Sequence, residues 1–274
     1  MGIPAKGQID CVHILNDQAL AGLGNKAKIG AIRDHINQLS ANTSETVSQK
    51  FGSLVDREWD GIDFAIPLQK PWEPPTQQSG SFITLGHSIE NYFFHVAGVE
   101  AYLRMFFADK LSGAFFQALE QRFHHFIALA ISYSFEMQRI AAITRSDGVI
   151  NHMHVEWANE KYHVLEPLKH DLLQRGIAVP QSYLDDVNAN IDLYLQSHHQ
   201  AEPGRWICHG HLGQQAIWSC IANLVREHGV DPATVTAIER GTHNNKFKHS
   251  ADCLCREAID TRIPLDEALT WLSA

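Results

Sequence analysis

The sequence predicts an α/β fold: a partial parallel sheet with flanking helices in residues 1–90, followed by a mainly helical region in residues 91–274. Three observations lead there. Short apolar runs at Ile9–Leu15, Phe51–Val55 and Ser81–Leu85 have the length of strands and are bounded by loop residues. Between the first two, Ile29, Ile32, Ile36 and Leu39 recur at helical spacing. Beyond Ile89 the chain reads as mainly helical, with one stripe of apolar residues at helical steps.

The elements take this order. The first strand, Ile9–Leu15, runs into the loop Gly22-Leu23-Gly24-Asn25-Lys26. That loop lacks the GxxxxGK[ST] spacing of a phosphate cradle, so it reads as an ordinary helix start. An amphipathic helix over 27–40 follows. A polar stretch, Ser40 to Lys50, then returns the chain to the strand ending at Asp56. Strand, helix, strand favours parallel pairing by a right-handed crossover. The proline-rich segment from Lys70 to Gly80 is a loop before the strand at 81–85. In the helical region, Phe115, Leu119, Phe123, Phe126 and Ala130 make a core-facing stripe. Further helices are expected at 159–175, 183–198, 212–228 and 264–272, punctuated by Pro180, Pro203-Gly204 and Pro232.

Composition narrows the function classes. Hydrophobic residues at 45% support a substantial core, and charged residues at 19% argue against a largely disordered chain. No apolar run approaches the ~20 residues that span a bilayer. The sequence has no signal-peptide pattern, and five irregularly spaced cysteines suit a reducing compartment, so the cytoplasm is expected. The net charge of -9 lacks the basic footprint of most nucleic-acid binders. Locally, Arg240, Lys246, Lys248 and Arg256, with His243 and His249, form the best basic segment for nucleic-acid contact. An acidic protein of this kind also suits a basic protein partner.

The strongest chemical signal is Val55-Asp56-Arg57-Glu58-Trp59-Asp60-Gly61. Alternate side chains of an extended backbone share a face, which would gather Asp56, Glu58 and Asp60. Three carboxylates together repel unless a cation joins them. Mg²⁺ or Mn²⁺ takes such oxygens and keeps waters for a phosphate-bearing substrate. The competing reading is a polar strand end running into an Asp-Gly turn. Glu90, in Ser88-Ile89-Glu90-Asn91-Tyr92, follows the next strand and is a further ligand or water-positioning candidate. Its plain alternative is a role at a helix start.

Two histidine groups invite metal readings. Cys208, His209, His211, Cys220, His243, Cys253 and Cys255 could serve a zinc-dependent hydrolase, although paired CxxC spacing is absent. His152 and His154 stand at alternate positions but do not match HExxH. No GxSxG elbow marks a serine nucleophile.

The succession of a strand into VDREWDG, a proline-rich loop, FITLGHSIENYFF and a late GRWICHGHLGQQAIW resembles an AriB-like family of Toprim-related proteins. These include the nuclease subunits of the PARIS anti-phage systems, which work beside an ABC-type ATPase. The resemblance runs thinly over most of the chain. It implies a Toprim-like core and Mg²⁺ (or Mn²⁺) held by Asp56, Glu58 and Asp60. It also implies RNA or DNA phosphodiester hydrolysis released by the ATPase partner; a homodimer is compatible with it. The family's earlier V-E-G-x-x-D motif has no counterpart here, since no glutamate precedes Glu45. Either the chain starts downstream of the family's first strand or the core is degenerate. A non-catalytic module of a defence complex is the alternative that follows from that departure.

Overall fold

A computed structural model describes residues 24–65, 72–197, 204–240 and 263–273. The strand expected at 9–15 lies outside the described residues. The fold is mixed α/β, with helices dominating. The chain divides into two compact units assembled from separated segments. The first takes residues up to Arg57, then 74–85, then 262 onward; the second takes 58–73 and 86–261.

In the first unit, α1 (Asn25–Asn37) and α2 (Ala41–Ser48) precede β1 (Ser53–Val55). The polar stretch after Ser40 is thus a short helix rather than a simple return; it contains neither Gly nor Pro to interrupt one. β1 pairs in parallel with β2 (Ser81–Ile83), with Leu54 opposite Phe82. The Arg33 guanidinium ties α1 to this sheet, donating to Ser81 Oγ at 2.8 Å and Ser53 Oγ at 2.7 Å. The Gln77 amide donates to the Ile83 carbonyl and accepts from its N–H, both at 2.8 Å. A side chain thereby occupies backbone groups that a third strand would otherwise use. A late helix, Leu265–Ser273, returns to the same unit and lays Trp271 against Gly52. A Cβ at Gly52 would fall 2.6 Å from Trp271 Cε3, so only glycine admits the indole there.

The second unit is built on helices. A 3₁₀ turn, Ile89–Phe93, leads into α3 (Val96–Phe107) and the 27-residue α4 (Gly113–Arg139). Ser112 caps α4 by accepting from the Phe115 N–H at 3.2 Å. Every residue of α4 from Phe126 to Met137 is buried, so this helix is central rather than amphipathic over that length. The expected stripe is buried throughout: Phe115, Leu119, Phe126 and Ala130 are 0% exposed and Phe123 8%. The polar members of the buried run are satisfied. Ser132 and Ser134 donate to the Ala128 and Ala130 carbonyls, and Glu136 accepts from Arg139 and Asn190.

The expected helix at 159–175 needs correction. After α5 (Ile143–Ser146), β3 (Val155–Ala158) and β4 (Lys161–Val164) form an antiparallel hairpin, and only Glu166–Gln174 (α6) is helical. Asn159 and Glu160 both take positive φ, 51° and 60°, as a two-residue hairpin turn requires. Along β4, Tyr162 and Val164 face inward while Lys161 and His163 are half-buried, a period of two that overrides a helical pattern. The remaining helices among the described residues are α7 (Tyr183–Ser197), the short α8 (Gly204–Ile207), α9 (Gly210–Glu227) and α10 (Pro232–Arg240), with Leu265–Ser273 as α11. These agree with the expected spans at 183–198, 212–228 and 264–272 to within two residues. Among the described residues, no helix is long and apolar enough to cross a membrane.

Candidate active site

The acidic stretch does not continue β1. The strand stops at Val55, and residues 58–61 form a turn in which Glu58 takes a φ of 57°. A left-handed residue reverses the chain, so the alternate-face geometry required of Asp56, Glu58 and Asp60 is not realised. Asp56 belongs to the first unit, whereas Glu58 and Asp60 belong to the second. All three side chains are exposed. At the end of β1, Arg57 is buried, its N–H donating to Thr84 Oγ1 at 2.9 Å and its guanidinium to the Leu85 carbonyl at 3.1 Å. Lys26 Nζ reaches the Arg57 carbonyl at 3.3 Å, so the chain's own ammonium sits at that strand tip. Among the described residues no group of three or more His, Cys, Asp or Glu side chains gathers as a metal site. The donor set therefore does not fit a preassembled Mg²⁺ or Mn²⁺ centre.

Within the second unit, three of the singled-out segments meet. The Glu58 N–H donates to the His87 carbonyl at 2.6 Å, and the Trp59 ring lies 4.7 Å from the His87 ring and 6.2 Å from that of His209. The His87 N–H donates to the Trp206 carbonyl at 3.1 Å. Asn91, 0% exposed, completes the junction. Its Nδ2 donates to the Arg205 carbonyl at 2.6 Å and the Cys208 carbonyl at 3.0 Å, while its Oδ1 accepts from the Ser88 N–H at 2.9 Å. One amide thus closes the 3₁₀ turn and fastens it to the chain entering α9. The SIENY and GRWICHGHLG segments, more than a hundred residues apart, are one structure here.

Glu90 stands on this junction, only 6% exposed. Its Oε1 lies 3.3 Å from His211 Nε2 on the first turn of α9. A Cβ at Gly210 would overlap Ser88 Oγ and come within 2.8 Å of Glu90 Oε2, so glycine lets α9 approach the carboxylate. The ring of His209 packs 4.2 Å from that of His87 and 6.2 Å from that of His211. His209 is also the N-cap of α9: its Nδ1 accepts from the Leu212 N–H at 3.3 Å. Burial, then the charge of His211, push the His209 imidazole down to about 4, against the opposing pull of Glu90 and Asp147. His209 is therefore neutral at pH 7, with its proton on Nε2.

Chemically, the contact of Glu90 Oε1 with His211 Nε2 sets a carboxylate against an imidazole at the start of α9. His209 supplies a neutral N–H donor, and the start of α9 adds its backbone dipole. Such groups have the chemistry of general base and anion stabiliser.

No family model and no curated protein matches this chain.

The other expected site residues are dispersed. Cys208 and Cys220 are both fully buried, with burial raising both thiols far above their ordinary range. Cys208 Sγ contacts Asn91 Nδ2 at 3.7 Å, as a packed thiol. His243, Cys253 and Cys255 lie outside the described residues, as do Lys246, Lys248, His249 and Arg256. Arg240 is exposed at the end of α10. His152 and His154 turn to different partners: His152 Nδ1 to Glu239 Oε2 at 2.6 Å, His154 Nε2 to Asp171 Oδ2 at 3.1 Å. Two residues carried no sequence signal of their own, Asn91 as the clamp and His87 as the packing partner. The only hint was their position inside GHSIENY.

Proposed function

We propose that this chain is a nuclease that cleaves RNA by acid–base chemistry at Glu90, His209 and His211, as the effector of an anti-phage system with an ABC-type ATPase partner. The single observation that carries the reading is the buried Glu90 carboxylate held 3.3 Å from His211 Nε2 at the start of α9. The partner and the biological setting rest on the family resemblance of the sequence. The Glu90–His211 pair takes the proton of a ribose 2′-hydroxyl, and the 2′ oxygen attacks the adjacent phosphorus. The P–O5′ bond breaks, leaving a 2′,3′-cyclic phosphate, and solvent returns a proton to the 5′ oxygen. The His209 Nε2–H and the N–H groups opening α9 face the charge that grows on the phosphate oxygens. No step is routed through a metal, because the acidic donors do not gather.

Purified chain incubated with labelled RNA, in EDTA and in Mg²⁺ or Mn²⁺, tests this. Cleavage that persists in EDTA, ends in a cyclic phosphate and falls about 10²–10⁴-fold in Glu90→Gln and His211→Ala agrees with it. Cleavage that needs Mg²⁺, disappears in Asp56→Ala and survives His211→Ala overturns it in favour of the acidic stretch. No cleavage with or without the ATPase makes the chain a non-catalytic module.

A further inference from the structure

A second polar constellation sits one helical turn further along α9. Gln215, four residues after His211, shares its face of the helix. Its Nε2 donates to Asp147 Oδ1, and its Oε1 accepts from the Gly148 N–H at 2.8 Å. The loop Asp147–Asn151 is thereby pinned beside the candidate active site, and the Asp147 carboxylate acts electrostatically on His209. This loop and α6 line an open pocket of about 320 Å³ formed by Gly148, Val149, Asn151, Asp171, Gln174 and Arg175.

The pocket's charged groups are held and unspent. Asp171 Oδ2 accepts from His154 Nε2 at 3.1 Å, and His154 is only 2% exposed. His154 Nδ1 in turn accepts from the Asn151 N–H at 3.3 Å, which sets the tautomer that donates to Asp171. Asp171 retains further acceptor sites, because an ionised carboxylate has about four. Arg175 follows Asp171 by four residues and makes no ion pair among the described residues. Among the described residues its guanidinium donates at 3.4 Å to the Asp147 carbonyl, while its backbone N–H donates to the Asp171 carbonyl at 3.1 Å. A carboxylate beside a guanidinium disfavours a simple anion or a simple cation. The lining suits a neutral, flat group with two adjacent donors and a nearby acceptor.

We infer that this pocket binds a guanine base of the RNA substrate, with Asp171 accepting from its N1–H and 2-amino group and Arg175 donating to O6. Guanine is the one standard nucleobase whose Watson–Crick edge offers two adjacent donors beside an acceptor, and single-stranded RNA presents that edge. The inference rests on the nuclease reading for the identity of the polymer and adds its base preference.

Titration of the full chain with guanosine, adenosine, cytidine and uridine tests the pocket without requiring cleavage. Guanosine is expected to bind about tenfold or more tightly than the others, a preference lost in Asp171→Asn, which removes one acceptor and turns a donor toward the base. Arg175→Gln, a change at an exposed side chain, is expected to weaken guanosine alone, and it serves if Asp171→Asn fails to fold. Equal affinity for the four nucleosides, no binding at millimolar concentration, or a preference surviving both variants overturns the inference. RNA cleavage without guanosine preference removes the pocket alone. Guanosine preference without cleavage removes the acid–base reading and leaves the pocket.

Discussion

Replacing Asn91 by Asp keeps the shape of the junction and reverses its polarity. In the native protein the Nδ2 group donates at 2.6 and 3.0 Å to the Arg205 and Cys208 carbonyls, all of it buried. A carboxylate has no proton to give and sets a second oxygen against two carbonyl oxygens. Losing two such bonds removes about 1 kcal/mol each, and stranding two buried acceptors costs about 1–3 kcal/mol more. The variant is therefore expected to lose about 3–5 kcal/mol, a large share of a typical domain's stability. Urea unfolding followed by tryptophan fluorescence at pH 7.5 measures it, since Trp59 and Trp206 lie beside the junction. Protonation restores one donor, so the deficit relative to the parent at the same pH should shrink toward pH 5. A variant within about 0.5 kcal/mol of the parent at pH 7.5 would refute the claim that Asn91 fastens the 3₁₀ turn to α9.

Gly210→Ala is expected to destabilise the protein by about 1–3 kcal/mol and to cut any activity more than stability, because the new Cβ displaces Ser88 and Glu90; paired melting and cleavage measurements separate the two. Burial holds both His209 and His125 down to about 4 from 6.5, so the unfolded chain binds more protons than the native one between those values. Stability should be full above about pH 6.5 and fall as pH drops toward 4, by at most about 3 kcal/mol for His209 and by less for the more solvent-screened His125. His209→Gln should flatten part of that slope in urea unfolding across pH 4–7. Leu119→Ala, at a fully buried position of α4, should cost about 2–5 kcal/mol by chemical denaturation. Trp271→Ala should loosen the first unit, read as faster amide exchange in β1 and β2 with the amides of α4 unchanged, since the indole lies against Gly52.

Periodicity made much of the frame legible. The stripe from Phe115 to Ala130 and the helices at 183–197 and 210–227 follow from side-chain spacing alone, because a helix face is a local property. The order strand, helix, strand bears on Ile9–Leu15, which lies outside the described residues; the parallel pairing of β1 with β2, joined by a proline-rich loop, does not follow from that order. The hairpin at 155–164 was not visible as such, because eight residues split by Asn159-Glu160 also satisfy a helical pattern when no tight turn is assumed. The shared face expected of the carboxylates at 56, 58 and 60 does not form, for a related reason. Alternation in sequence brings side chains together only while the backbone stays extended, and a left-handed residue at Glu58 ends that condition.

Residue type alone marked Glu90 and the His209-Gly210-His211 segment as chemically able, since ionisable groups beside small residues read as such without coordinates. Folding brought them within 3.3 Å, through a buried amide whose two acceptors lie 114 and 117 residues along the chain. Spacing along a chain encodes neighbours a few residues apart. Contacts across such loops depend on which helices bury which faces, and that is settled by packing the whole core at once.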